Sequence, residues 1–358
     1  MLELPVDLYR HVVEDANGDT SVLRALCLTS RRFYLEASRA LYATLQLNDR
    51  AQAIMAVNSL NSNSRLAQLV QSFALRTSSE FYDLSGLIAP LIGAIQLMVN
   101  LQRLELHYLW ASDPFVGDST RYRGGVAWTR SLRVPQISTL ITETTITKPI
   151  GTLFGELPCP LPRLETRQPL NVSCIDGINT VCCERVYGRH MEPLRELKQL
   201  ELRNLDTYPY NGPDWAPNLE AVAIVTDPAH SDGVEWDALS VHTGSLRKIR
   251  KIGPICHPSI AALTPELSGF QQLQMIVLVI PRIEYRDFMV TQAERMRTVA
   301  PALRCIVLAA QPNSGRHIKE VTIWEYEESG VAMPGEWTSR SESVEDWNST
   351  ALGLLRVE

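Results

Sequence analysis

Leu101-Gln102-Arg103-Leu104-Glu105-Leu106 sets the pattern for the chain, and Leu197-Lys198-Gln199-Leu200-Glu201-Leu202 nearly copies it. Both read apolar-x-x-apolar-x-apolar. Alternation over the last residues is what a short strand with one buried face requires. The template returns at Leu219/Val222/Ile224, Leu273/Ile276/Leu278, Leu303/Ile306/Leu308 and Ile318/Val321/Ile323. Looser copies stand at Val70/Phe73/Leu75, Ile137/Leu140/Thr142, Leu161/Leu164/Thr166 and Leu246/Ile249. First positions are separated by 15 to 36 residues.

The segment before the clean motif is helical. Leu84, Leu87, Ile88, Leu91, Ile92, Ile95 and Met98 share one helical face, and Asn100 ends the run just before the strand. Helix, turn and short strand make one unit, which cannot bury its apolar face alone and stacks on its neighbours. Repeats of ~20–29 residues of this form are leucine-rich repeats, so the expected fold class is α/β, an irregular leucine-rich-repeat solenoid. A fixed asparagine ladder is missing. The shortest interval holds Gln311-Pro-Asn-Ser-Gly315, which reads as a hairpin. A generic α/β domain, whose strands share an apolar pattern through βαβ alternation, competes with this reading.

Composition narrows the function classes. The chain has 358 residues, 45% hydrophobic and 21% charged, with a net charge of −6. That suits a folded chain of roughly two domains. Net acidity argues against a phosphate-binding surface, so no nucleic-acid partner is expected. The most apolar window, Leu87 to Val99, is shorter than the ~20 residues that span a bilayer, so no membrane partner is expected. Glu3, Asp7 and Arg10 interrupt the stretch where a secretory signal would be apolar. Seven cysteines without a C-x-x-C suit reduced thiols in a cytoplasmic or nuclear protein.

Residues 1–46 read as three short amphipathic helices. Leu4, Leu8 and Val12 recur every fourth residue after Pro5; Asn17-Gly18 breaks the first helix; Asp19, Thr20 or Ser21 caps the second, and Ser30 the third. So small a unit buries too little to stand alone. It is either a plain helical cap on a larger domain or a docking module.

The run LPVDLYRHVVEDANGDTSVLRALCLTSRRFYLEASRALY, residues 4–42, resembles an F-box. Leu4-Pro5-Val6-Asp7-Leu8 matches that family's opening, and Leu28-Thr29-Ser30-Arg31-Arg32-Phe33 its second half loosely. Thr29 stands for Val, Ser30 for Cys and Phe33 for Trp. With repeats behind it, the chain is similar to fungal (basidiomycete-like) F-box proteins with irregular leucine-rich repeats. The resemblance implies docking on a Skp-type adaptor, and so on a cullin, through Leu4, Pro5, Leu8, Val12, Leu26, Ser30 and Phe33. The implied layout is an F-box over 1–46, repeats over 47–330, and an acidic C-terminal tail over 331–358 as a candidate cap.

A protein target would lie on the strand face turned away from the core. Arg103, Glu105, His107, Arg163, Glu165, Arg167, Glu201 and Arg203 occupy such positions and are the candidate target-binding residues. The later equivalents are apolar: Met275, Val277, Val279, Cys305, Val307 and Ala309. An apolar face open to water needs either a partner or a cover. The tail carries Trp337, Trp347, Leu352, Leu354 and Leu355, enough to fold back over it. The loops 107–135, rich in aromatics, and 171–193, with Cys182-Cys183, read as insertions, and the cysteines as buried or idle thiols.

No G-x-G-x-x-G, Walker-type loop, G-x-S-x-G or H-E-x-x-H occurs, and the histidines lack metal spacing. No cofactor, metal or catalytic residue is expected. The expected function is a non-catalytic substrate receptor of a cullin-type ubiquitin ligase. A repeat scaffold without a ligase link is the alternative, and a cryptic hydrolase the more remote one.

Overall fold

The computed structural model describes residues 5–16, 19–76, 87–107, 129–143, 146, 149–184, 186–187, 194–202, 216–224, 248–256, 263–265, 267–280, 286–310, 320–327, 336–344 and 354–355. The fold is mixed α/β on mostly parallel sheet. No helix among these residues is long and apolar enough to cross a membrane. Two compact units divide the chain: Met1–Thr144 with Lys148–Thr166, and Thr145–Thr147 with Arg167–Glu358.

The first unit opens with α1 (Val6–Asp15), α2 (Thr20–Thr29) and α3 (Arg31–Ala43). Proline stands at the entry to α1, where the first-turn N–H groups have no helical partner in any case. Asp19 caps α2 by accepting from the N–H groups of Ser21 and Val22, and Ser30 caps α3 by accepting from that of Phe33. Val13, Leu23 and Ala37 form a small core, with Leu26, Cys27, Phe33 and Leu41 packed around it.

α3 runs directly into β1 (Thr44–Leu47). Then follow α4 (Arg50–Ser62), α5 (Ser64–Ala67), β2 (Ser72–Leu75), α6 (Ile88–Leu97), β3 (Arg103–Leu106), β4 (Thr139–Thr142) and β5 (Leu161–Thr166). The strands lie in chain order and pair in parallel. Strand by strand, Phe73, Leu104, Leu140 and Leu164 fall in one register row and are fully buried. Burying one such leucine stabilises by about 1.5–3 kcal/mol relative to leaving it in water. Short 3₁₀ turns at Thr129–Ser131 and Ile150–Thr152, rather than α-helices, precede β4 and β5. The helix-per-strand unit expected from the α6–β3 pair thus holds for β2 and β3 and gives way to short turns at β4 and β5.

A side-chain ladder that the sequence pattern did not suggest joins neighbouring connections. Asn100, just before Leu101, donates from Nδ2 to the carbonyl of Gln68 at 2.7 Å. Gln136, just before Ile137, donates to that of Met98 at 3.1 Å. In the second unit Asn218, just before Leu219, donates to Arg195 at 2.7 Å. Each satisfies a carbonyl that no strand ladder reaches.

The second unit contains β6 (Leu170–Asn171), β7 (Ile178–Cys183), β8 (Val186–Tyr187), β9 (Gln199–Leu202), β10 (Ala221–Ile224), β11 (Lys251–Cys256), β12 (Met275–Ile280), α7 (Arg286–Val299), β13 (Cys305–Ala310), β14 (Glu320–Glu327) and β15 (Glu336–Ser343). Strands β6 and β8 form a separate parallel pair. The main sheet runs β7-β9-β10-β11-β12-β13-β14-β15 and is parallel up to β13. β14 and β15 then return antiparallel. The hairpin residues 311–315 lie outside the described residues, and the strands flanking them pair as a hairpin does.

Four placements differ from the sequence reading. Val321 and Ile323, read as a template copy, stand opposite Ala309 and Val307 in the antiparallel return and so fall on the face that the template residues of β12 and β13 do not use. The stretch 171–193 is not merely an insertion, because Ile178/Val181/Cys183 follow the template and are buried as strand β7. The copy at Leu246/Ile249 is displaced by three residues: Ile249 and Ile252 take the first and second apolar positions. There the register shifts between Ile252 and Ile255, so the third apolar residue arrives one position late. Gly253 makes this possible, with φ +136° and a Cβ position only 2.5 Å from the Val277 carbonyl oxygen. Finally, the tail contains a strand. β15 pairs with β14 along its whole length, and Trp337 is buried.

Candidate functional site

Two groups of residues are candidates for a functional site. The first lies on the N-terminal helices. Leu8 and Val12 share a face of α1 at i, i+4 and are 44% and 40% exposed; Pro5 is exposed beside them. Leu28, at the end of α2, is 89% exposed. Val22, Tyr34 and Leu35 also stand in water.

The remaining expected adaptor residues are placed differently. Leu26 and Phe33 are half-buried against the core of the three helices. The Phe33 ring meets Tyr9 edge to face with centroids 4.7 Å apart, and Arg32 lies 5.8 Å above Tyr9. Ser30 spends its oxygen on the α3 cap. Leu4 lies outside the described residues. Pro5, Leu8 and Val12 are therefore free to meet another chain, while Leu26 and Phe33 chiefly hold the helices together. Val22, Tyr34 and Leu35 were absent from the expected set because the family pattern does not mark them, and helical periodicity does not say which apolar face a small unit leaves open.

Below the Asp19 cap, charge is well used. Hydrogen bonds from the Ser21 hydroxyl and from the N–H groups of Val22 and Ser21 hold the Asp19 carboxyl below the usual carboxylate range.

The second group stands at the carboxyl ends of β2, β3 and β4. Arg76, His107 and Glu143 each follow the last residue of their strand, six residues after the first apolar position of the template. Glu105 lies within β3. Arg76 donates from Nε and Nη2 to the two oxygens of Glu105, at 2.7 and 3.2 Å. His107 lies between two carboxylates, its Nε2 2.7 Å from Glu105 Oε1 and its Nδ1 2.9 Å from Glu143 Oε2. Burial alone would push the Glu105 carboxyl up, but the hydrogen bonds from Arg76 and His107 outweigh it and hold it below its ordinary value. The same pairing holds the Arg76 guanidinium above its ordinary value, against the effect of burial.

Arg163 and Glu165 pair with each other at 3.6 Å in β5. Ile141 stands in register between Glu105 and Glu165 and is itself buried. Arg103 and Arg167 are exposed. Glu201, in the second unit, is a correction: it is 1% exposed and accepts from Gln199 Nε2 at 2.8 Å, so it presents nothing to a partner. Glu105 is corrected likewise, since its oxygens are committed to Arg76 and His107. Arg203 lies outside the described residues. Arg76 and Glu143 were missed as site residues, although their shared template position with His107 was a usable signal.

Among the described residues no group of three or more His, Cys, Asp or Glu side chains is arranged to hold a metal ion. The cluster at the strand ends brings two acids to one guanidinium and one imidazole. These groups pair with one another across neighbouring strands, an arrangement that ties strand ends together. No protein-family model matches the chain, and no curated protein matches it.

Proposed function

We propose that the chain is the substrate-recognition subunit of a Skp-cullin-F-box ubiquitin ligase, with an F-box in the first three helices and irregular leucine-rich repeats behind it. One observation carries the reading. Among the described residues nine large hydrophobic side chains are exposed, and Leu8, Val12, Val22, Leu28, Tyr34 and Leu35 of these belong to the first three helices. Isolated apolar residues on a surface need no explanation, but a concentration of them marks an interaction site. The helices bury only a small core of their own, and an adaptor would supply the missing wall.

The repeat assignment draws support from strands in chain order and from the ladder of Asn100, Gln136 and Asn218. In this reading the chain performs no bond chemistry. It tethers a protein target near the ubiquitin-charged enzyme and raises its effective concentration there. The setting is the cytoplasm or nucleus.

A second reading, a scaffold without a ligase link, is favoured by the inward packing of Leu26 and Phe33. Co-expression with a Skp-type adaptor decides between them. Wild-type chain is expected to co-purify with the adaptor, and the Leu8→Asp/Val12→Asp variant to lose it with an unchanged melting curve. Retention of the adaptor by that folded variant would overturn the ligase reading.

A further inference from the structure

Strands β12 and β13 have two faces, and both are largely buried. One carries the template residues Ile276, Leu278, Ile306 and Leu308, all buried. The other carries Val277, Val279, Val307, Ala309, Val321 and Ile323, also buried, together with Ala223. Side chains alternate along each strand, so the second set cannot reach the core that the first set builds. Among the described residues, what joins this second cluster from elsewhere in the chain is Val344, Leu355 and the half-buried Leu354. Lys251 adds one polar tie, donating from Nζ to the Leu354 carbonyl at 3.3 Å. Arg340, paired with Glu325 and Glu342 on the hairpin strands, sets charge beside the apolar patch.

We propose that this second face is a peptide-docking surface, held in cis by the chain's own C-terminal Leu354–Leu355 turn. The occupant it fits is visible in the tail itself. It is a short segment presenting two adjacent leucines on a helical turn, with a backbone carbonyl placed for Lys251. A target segment of that chemistry competes with the tail, which makes the tail an autoinhibitory latch.

Two features favour a latch over an ordinary core. The template residues of β12 and β13 are buried on the face opposite the tail leucines. The tail residues that reach this face, Leu354 and Leu355, are consecutive and are tied to the sheet by the Lys251 hydrogen bond. The inference rests on the receptor reading only for its biological use, and adaptor binding is not involved in its test.

The experiment uses a fluorescent peptide of residues 345–358, the full chain, and a chain ending at Val344. The peptide is expected to bind the shortened chain at least ten-fold more tightly than the full chain. The same peptide with Leu354→Asp and Leu355→Asp is expected not to bind. Equal binding to both chains, or none to a folded shortened chain, overturns the proposal. Should the shortened chain fail to fold, hydrogen exchange on the unmodified full chain decides. A latch requires the amides of Leu354 and Leu355 to exchange at least ten-fold faster than those of β12 and β13. Exchange of both only through global unfolding makes the tail part of the core and overturns the latch.

Discussion

Arg76 and Glu105 meet across neighbouring strands, the guanidinium Nε and Nη2 reaching the two carboxylate oxygens at 2.7 and 3.2 Å. A planar fork on a carboxylate fixes the register of two strand ends as well as their charge. The Glu105 side chain is only 7% exposed, whereas that of Arg76 is 43% exposed. Removing the arginine takes two hydrogen bonds from a buried acid and leaves it His107. Arg76→Ala is therefore expected to cost about 1–2 kcal/mol, a range kept low because water screens the guanidinium side. Arg76→Lys keeps the charge without the fork and recovers only part of the loss. Urea denaturation measures both, and a wild-type midpoint for Arg76→Ala would show the pair to be idle.

The same carboxyl predicts a pH dependence. Its folded-state value is held below the ordinary 4.5, because the bonds from Arg76 and His107 outweigh the effect of burial. A depressed folded value means that the stabilisation is fully present above about 4.5 and is lost as pH falls through the folded value. The stability difference between wild type and Glu105→Gln should accordingly be constant from pH 7 down to about 5, and shrink on further acidification. A difference that grows below pH 4.5 would reverse the sign and remove Arg76 and His107 as the controlling partners.

Exposure and burial on the N-terminal helices separate binding from folding. Leu23 is buried in the small core, so Leu23→Ala is expected to cost about 2–3 kcal/mol, the lower part of the range for a leucine truncation because the core is small. Leu28 projects into water, so Leu28→Asp should change stability by less than about 0.5 kcal/mol. If the proposed docking is right, Leu28→Asp also weakens adaptor capture. Thermal melts beside pull-downs test both, and a large stability loss for Leu28→Asp would mean that the residue is packed in solution.

Much of this was readable from the chain and some was not, for physical reasons. The strands at Leu104, Leu200, Ile276 and Ile306 announced themselves because aliphatic residues fill every template position. Strand β7 was obscured because Cys183 holds its third position, and thiols pack as small hydrophobes without looking like them in a pattern. β15 was obscured because its residues, Glu336 to Ser343, are almost all polar. An edge strand needs one neighbour and tolerates charge on its open side. The alternation rule placed Glu105 and His107 on the right face, but alternation gives direction and not burial. It could not show that Glu105 and Glu201 are spent on internal partners.

Gly253 explains a register shift that no apolar pattern encodes, and it is testable. An added Cβ would sit 2.5 Å from the Val277 carbonyl oxygen, at a φ of +136° that side-chain-bearing residues rarely adopt. Both objections involve backbone, which cannot swing aside. Gly253→Ala is expected to destabilise by about 2–3 kcal/mol. Gly151, with nothing within 4 Å of its added Cβ and no left-handed backbone, is the control, and Gly151→Ala should be near neutral. Equal effects of the two substitutions, read by chemical denaturation, would remove the close approach as the cause.

Cys305 offers a chemical reading of the tail. It is half-buried against the cluster that Leu355 completes, and burial, with a smaller push from Glu325, raises its thiol to about 11 against the pull of Arg340 and Lys251. The thiolate is the nucleophile, so at pH 8 only roughly one molecule in a thousand is reactive there. If the tail leucines shield the sulfur along with the cluster, ending the chain at Val344 is expected to return water to it and let the thiol fall toward its ordinary value. Alkylation of Cys305 should then accelerate at least ten-fold, as followed by peptide mass spectrometry. Cys159, exposed in the other unit, should label at one rate in both chains and calibrate the reagent. Cys174 and Cys183 are buried away from the tail cluster and should stay slow if the shortened chain is folded. Acceleration confined to Cys305 ties its protection to the tail. An unchanged Cys305 rate, with Cys159 as reference, would mean that the tail does not seal this face.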